Sequence, residues 1–267
     1  MKQENLISSP NNPKIKNVVK LRERSSRDKT KMTIVEGIRE LSRAQESGIY
    51  FEEFYYCREL TTNKKLIEEC WAQSSISFEL TKKVFAKIAF GDRQEGVLAV
   101  VRQPRYDFKD LNLGKNPLLF VVERVEKPGN LGAILRTADS AAVNGLIVCD
   151  AATDIYNPNV IRSSLGTIFS LKTIQATNKN ALEFLKENKI QVCVTAPDGD
   201  INYSEVDFRQ PSAIVLGSED KGVSNFWLSG ADVKAKIPMK GKADSLNVST
   251  TAAVVVFEAI RQRNLAS

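Results

Sequence analysis

The sequence contains no histidine. That absence removes Ser-His-Asp and Cys-His catalysis, histidine-based zinc sites and imidazole acid–base work. Chemistry in this chain must rest on Asp, Glu, Lys, Arg, Tyr, Ser or a bound cofactor, and no metal is expected. Cysteine is sparse: Cys57, Cys70, Cys149 and Cys193 form no C-x-x-C pair. Three of them sit in apolar strand-like or helical patterns, so buried free thiols and a reduced, cytoplasmic setting are expected. No apolar run approaches the ~18 residues that cross a bilayer, and the polar N-terminal stretch gives no sign of export. The phosphate-loop signatures are missing too. No G-x-G-x-x-G follows a strand-like run and no G-x-x-x-x-G-K-[ST] is present, which makes a Rossmann oxidoreductase a poor reading.

What is present is an ordinary globular composition, 42% hydrophobic and 26% charged over 267 residues. This is enough chain for one large domain or two smaller ones. The formal net charge of +6 is placed unevenly: residues 1–31 carry nine Lys/Arg against three Asp/Glu, and the remainder balances. A basic N-terminal arm on a neutral body suits a phosphate-rich partner. Lys14, Lys16, Lys20, Arg22, Arg24 and Arg27 are its candidate phosphate contacts.

Apolar periodicity alternates strands and helices from about Ile34 to Val101. "MTIVEG", "FEEFYYC", "SISFEL" and "GVLAVVRQ" read as strands, while "IRELSRAQESG", "TNKKLIEECWAQS" and "TKKVFAKIAF" read as helices. Thr81 stands where an N-cap is wanted, and Gly48 where a helix stops. This predicts an α/β domain over residues 1–105, and the Pro- and Gly-bearing stretch 106–116 reads as a linker. Residues 117–267 repeat strand then helix, from "PLLFVVERV" and a helix beginning at Leu131 to a long final helix, "NVSTTAAVVVFEAIRQRN". Fully apolar strands alternating with helices imply a parallel sheet covered on both faces, with ligands at the carboxyl ends of its strands. The loops after Val125, Ala196, Leu216 and Met239 are therefore the ones to read.

Three of these loops share a composition of Gly, Asn, Ser and a few charges. "NLGAILRTA" (130–138) follows the first strand, "GSEDKG" (217–222) follows "SAIVL", and "IPM" leads into "SLNVS" (245–249) before the final helix. Taken singly, each passes for turn and cap chemistry. Together, in this order, N-x-G-x-x-x-R-T-A, G-x-E-x-x-G and I-P-M…S-L-N-V-S closely resemble the three motifs of the SpoU (TrmH-like) RNA 2′-O-ribose methyltransferases, over about residues 117–263. The N-terminal "IVEGIREL" also resembles that family's substrate-binding domain.

The resemblance implies a SPOUT methyltransferase fold, with a deep trefoil knot in the C-terminal domain, S-adenosylmethionine as cofactor, and a homodimer in which two subunits complete each active site. It places Gly217, Ile237 and Leu246 against the cofactor, with Thr195, Ala196 and Met239 as further lining. Asn130, Arg136, Glu219, Ser245 and Asn247 form the implied catalytic set. Arg136 is proposed in the family as the base that takes the 2′-hydroxyl proton. A guanidinium does not normally deprotonate in proteins, so a clamp on the neighbouring phosphate that stabilises the forming alkoxide is the alternative. "NPNVIRSSLG" (157–166) also looks family-like and adds Arg162 as a possible RNA contact. Ribosomal RNA is the expected substrate. A tRNA 2′-O-methyltransferase and a non-catalytic RNA-binding assembly factor stand as the alternatives.

Overall fold

The computed structural model describes residues 5–61, 63–90 and 95–265; Lys2 and Glu4 of the basic segment lie outside them. Secondary structure begins with β1 (Asn5–Ile7), α1 (Pro13–Lys20), α2 (Arg24–Thr30), β2 (Met32–Glu36), α3 (Ile38–Glu46), β3 (Phe51–Tyr56), α4 (Lys64–Ala72), β4 (Ser74–Leu80), α5 (Lys82–Ile88) and β5 (Val97–Arg102). It continues with β6 (Leu118–Glu123), α6 (Pro128–Ser140), β7 (Gly145–Cys149), α7 (Pro158–Ser163), α8 (Thr167–Ser170), β8 (Thr173–Ala176), α9 (Asn178–Glu187), β9 (Gln191–Thr195), β10 (Ile201–Asn202), β11 (Ser212–Leu216), α10 (Asn225–Gly230), β12 (Val233–Lys236) and α11 (Val248–Leu265).

The chain divides into two units, Met1–Pro104 with Tyr156–Ser170, and Arg105–Ile155 with Leu171–Ser267. The division is thus not a simple succession of two domains. The segment Tyr156–Ser170, which leaves from the second half of the sequence, belongs to the first unit. The stretch expected as a linker is ordered on the second unit: Phe108 stacks on Phe184 with ring centroids 4.4 Å apart, and Leu111 is buried.

The first unit is a five-stranded sheet in the order β1-β4-β3-β5-β2. Its basic start is not a free arm. Asn12 caps α1 by accepting from the Lys14 amide at 2.9 Å, and Pro13 takes the first helical position, where an amide would go unpaired anyway. Ile15, Val18 and Leu21 then bury one face of α1 in the sheet's core. Arg27 is 1% exposed and donates to the carbonyls of Leu21 and Arg22 at 2.8 and 2.7 Å. Arg22 donates to those of Lys87 and Ala89 at the end of α5. The Arg27 guanidinium thus fastens backbone away from solvent, which corrects its expected role as a phosphate contact, while that of half-buried Arg22 is engaged with two carbonyls. Thr81 does precede α5, yet its side chain makes no capping bond.

The second unit carries a seven-stranded, all-parallel sheet in the order β10-β12-β9-β11-β6-β7-β8. All six residues of β6 and all five of β7 and β11 are buried, as a sheet covered on both faces requires. The chain runs outward through β6, β7 and β8, crosses back to lay down β9, and later fills the gap between β9 and β6 with β11. That reversal is a topological switch, and ligands of such sheets lie outside the strand ends there. Two helices depart from expectation. The helix α6 begins at Pro128, one turn earlier than the apolar pattern suggests. The segment "NPNVIRSSLGTIF" forms two short helices because Leu165 turns left-handed at φ 53°.

Candidate functional site

A cleft of ≈ 600 Å³ opens at the carboxyl ends of β9, β11 and β12. Its size falls within the ~300–1,000 Å³ of small-molecule sites. Thr195 and Ala196 line it from the end of β9, Gly217 and Glu219 from the loop after β11, Ile237 and Met239 from beyond β12, and Ser245, Leu246 and Asn247 from the approach to α11. Leu216 and Val223 add apolar wall. The Thr195 hydroxyl is already committed, donating to the Val215 carbonyl at 3.1 Å.

The loop 217–222 is held closed by its own backbone. The Ser218 amide donates to the Gly222 carbonyl at 3.0 Å and the Gly222 amide returns to Ser218 at 3.1 Å, with Gly222 at φ +62°. A Cβ on Gly217 would stand 2.0 Å from the Gly222 carbonyl carbon. Glycine is required there by the loop's closure on itself as much as by approach of a ligand.

Glu219 ties this loop to the first strand's exit. Its carboxylate accepts from the Glu126 amide at 3.1 Å, the Lys127 amide at 3.2 Å and Asn130 Nδ2 at 2.6 Å. Asn130 in turn accepts from Asn247 Nδ2 at 3.2 Å, and Asn247 Oδ1 accepts from the Ser249 amide and hydroxyl. Burial on its own would raise the Glu219 carboxyl. The hydrogen bonds from Asn130, Glu126 and Lys127 outweigh it and hold the pKa below the ordinary value. Glu219 is therefore a fixed anionic strut, and a single side-chain relay spans all three glycine- and asparagine-bearing loops.

Arg136 lies in the ninth position of α6, exposed, outside the lining of the cleft. Its guanidinium has no ion pair or hydrogen bond among the described residues. Arg162 belongs to the first unit, half-buried, where it donates to the Phe90 carbonyl and lies close enough to Glu36 to offset part of the rise that burial gives that carboxyl's pKa. Lys14 pairs with Glu53, and Arg24 pairs with Asp28 at 3.5 Å on an exposed helix face; Lys16 and Lys20 are exposed.

Sequence reasoning missed Lys127, Pro197, Asp220, Lys221, Asp244 and Thr251 as cleft residues. Pro197 opens a Pro-Asp-Gly turn signal after β9 that was there to read. The amides of Glu126 and Lys127 carry no side-chain signal at all. Among the described residues no cluster of three metal-ligating side chains occurs, and no helix is long and apolar enough to cross a membrane. All four cysteines are buried free thiols; burial pushes those of Cys70, Cys149 and Cys193 up to about 12.

Residues 117–257, which contain every loop of this cleft, match the SpoU rRNA Methylase family, and residues 12–99 match the MRM3-like substrate binding domain. The chain belongs to the SpoU rRNA methylase family. Its relatives among SpoU methylases include the 23S rRNA (uridine(2479)-2'-O)-methyltransferase of Streptomyces viridochromogenes, 30% identical over 253 residues, 90% of this chain and 86% of that one. A solved structure described as an RNA 2'-O ribose methyltransferase is 36% identical, covers 97% of this chain and 99% of its own, and superposes with a TM-score of 0.85. The SpoU methyltransferase AviRb from Streptomyces viridochromogenes, solved with the cofactor AdoMet, is 28% identical over 95% of this chain and 98% of its own, with a TM-score of 0.85.

Proposed function

We propose that this SpoU methylase is an S-adenosylmethionine-dependent enzyme that methylates a ribose 2′-hydroxyl in RNA, with ribosomal RNA as substrate. One observation carries it above the others: the three loops converge on one apolar-walled cleft and are locked together by the Glu219–Asn130–Asn247 relay. The residues fit the cofactor. Leu216, Val223, Ile237 and Leu246 offer an apolar slot for an adenine ring, with glycine backbone at its edge. The bound cofactor supplies an electrophilic methyl group on a sulfonium sulfur.

The chain's own groups must then hold the acceptor in line and bear the charge that develops on its oxygen. Arg136 is suited to the second task because its cation is unpaired and exposed. As a clamp on the phosphate beside the target ribose it would stabilise the alkoxide without losing a proton, which a guanidinium does not readily give up in a protein. Ser245 and Asn247 sit at the cleft, where a target nucleotide would meet the cofactor, and Asn130, itself held by Glu219, keeps Asn247 there.

Because Arg136 stands off the cleft of its own chain, a ribose held at the cleft of a second copy suits its reach. A homodimer is accordingly part of the proposal, with the apolar helix α11 at the contact. Phe257 is 48% exposed and Leu265 75% exposed on that helix, against the burial apolar groups favour. The threaded C-terminal knot of the family and a reduced cytoplasmic setting for the four free thiols belong to the same proposal.

Calorimetry of the purified protein with S-adenosylmethionine tests the cofactor assignment, and micromolar binding that survives chelator treatment is expected. No binding would move the protein to the non-catalytic RNA-binding class. Small-angle scattering tests the dimer; a monomer at micromolar concentration contradicts it.

A further inference from the structure

One buried acid plays no part in the relay described above. Glu123 ends β6 with 0% exposure. Its Oε2 accepts from the Ser224 amide at 2.8 Å, and its Oε1 accepts from Asn178 Nδ2 at 2.7 Å. Asn178 Oδ1 accepts in turn from Trp227 Nε1 at 2.8 Å, and the Arg124 guanidinium lies 3.6 Å from Glu123 Oε1. Ser224, Asn178 and Arg124 each turn a donor group toward this carboxylate. Trp227 can only donate, so the Asn178 amide is fixed with its NH2 toward Glu123. The site therefore demands a group that accepts on both oxygens, which an ionised carboxylate does and an amide does not.

The position of these bonds gives them a consequence for the cleft. Residues 217–224 form the loop that floors it. Glu219, near the start of that loop, is fastened to the amides of residues 126 and 127 and to Asn130. Ser224, where the loop re-enters helix α10, is fastened to Glu123. The segment 123–130 thus grips the loop at both ends. The residues between the grips, among them Asp220, Lys221 and Val223, line the cleft. Releasing one grip lets the loop rise on the remaining one.

We propose that Glu123 is a positioning residue for the methyl-donor site, setting through the Ser224 amide the height of the loop on which the cofactor rests. It acts without touching cofactor or RNA. The proposal rests on the assignment of the cleft to S-adenosylmethionine.

Glu123→Gln keeps the shape but cannot satisfy both donors: its NH2 must face either Ser224 N–H or Asn178 NH2. The expected result is a loss of S-adenosylmethionine affinity of about tenfold, the scale of one buried donor left unpaired, with faster hydrogen exchange in the peptide spanning 217–224 and an unchanged KM for RNA. Trp227→Phe serves as the control, since it weakens the same buried cluster while leaving the Ser224 bond in place. It should lower the melting temperature yet keep cofactor affinity within about twofold of the parent, well short of that single-donor loss. If Glu123→Gln lowers the melting temperature as Trp227→Phe does and leaves both affinity and loop exchange unchanged, Glu123 is a structural acid only and the proposal is overturned. If the parent protein takes up no S-adenosylmethionine, the function assigned to the cleft fails. In that event faster loop exchange in Glu123→Gln still supports the grip, and unchanged exchange rejects it.

Discussion

Asn247 donates to Asn130 across 3.2 Å, joining two residues 117 positions apart in the chain. Asn130 also donates to Glu219, so breaking this pair cuts the third loop off from the other two, which Glu219 still ties together. Neutralising the anion at the centre is the direct probe. Glu219→Gln retains one acceptor for three donors and should weaken S-adenosylmethionine binding by about tenfold or more. The carboxyl's folded pKa lies below its ordinary value. Its contribution to stability is thus present above ~4.3 and lost as pH falls through the lowered value. Thermal melts across acidic pH should show that loss in the parent protein and not in the variant.

Arg136 separates chemistry from cofactor binding. Arg136→Ala should reduce methyl transfer by at least ~10², the scale of losing one charge-stabilising group. Cofactor affinity should stay within a few-fold, because the side chain lies outside the cleft. Arg136→Lys divides the two roles. Retained partial activity fits a phosphate clamp, whereas a variant as inactive as Ala requires the planar fork at the ribose. Full activity in Arg136→Ala would return this residue to a plain surface charge.

The basic face of the first unit is best tested by point changes. Deleting residues 1–105 would also uncover Tyr156, Val160, Ile161, Ile168 and Phe169, which are buried in that unit. Replacing Lys16, Lys20 and Arg24 together by Ala should weaken RNA binding and make the slope of log affinity against log salt shallower by about 2, near the value for three phosphate contacts. Arg27→Ala should instead lower the melting temperature, since it removes a buried cation bonded to two carbonyls. An unchanged salt slope in the triple variant would make this face a solubilising surface only.

Glu36 predicts a pH dependence of the opposite sign. Burial, only partly offset by the Phe90 amide and by Arg162 and Arg22, pushes its pKa up to about 7. The folded chain keeps a proton that the unfolded chain gives up from ~4.3 onward. Stability contributed by this group is therefore full below that value, declines as pH rises toward 7, and is flat above. Glu36→Gln should remove that decline in melts run between about pH 5 and about pH 8; the same decline in the variant would assign it to another group.

Much of the fold was legible because its central strands are short, nearly continuous apolar runs, as in β5, β6 and β11. What escaped did so for physical reasons. The strands β1 and β10 span three and two residues, too short to show a period. Helix α1 did show one, with Ile15 and Val18 on one face behind Asn12-Pro13, but the density of lysines around it favoured reading an arm. Arg27 is buried against the carbonyls of Leu21 and Arg22 in the turn between α1 and α2, a backbone geometry that no apolar pattern records. At the cleft, side chains in distinctive loops were readable, including Gly217, Glu219, Ile237, Leu246 and Asn247. The struts that are backbone amides, at residues 126, 127 and 224, were not. Pro128 marks the first turn of α6 in the usual way, and weighing it would have placed Arg136 two turns into the helix.

The central claim is tested most directly by incubating the purified protein with S-adenosylmethionine carrying a labelled methyl group and unmodified ribosomal RNA. Digestion of the RNA to nucleosides then shows where the label went. Label in a single 2′-O-methylribose, abolished by Arg136→Ala, is the predicted result. Label in a base, or no label in RNA by a protein that binds the cofactor, would contradict it.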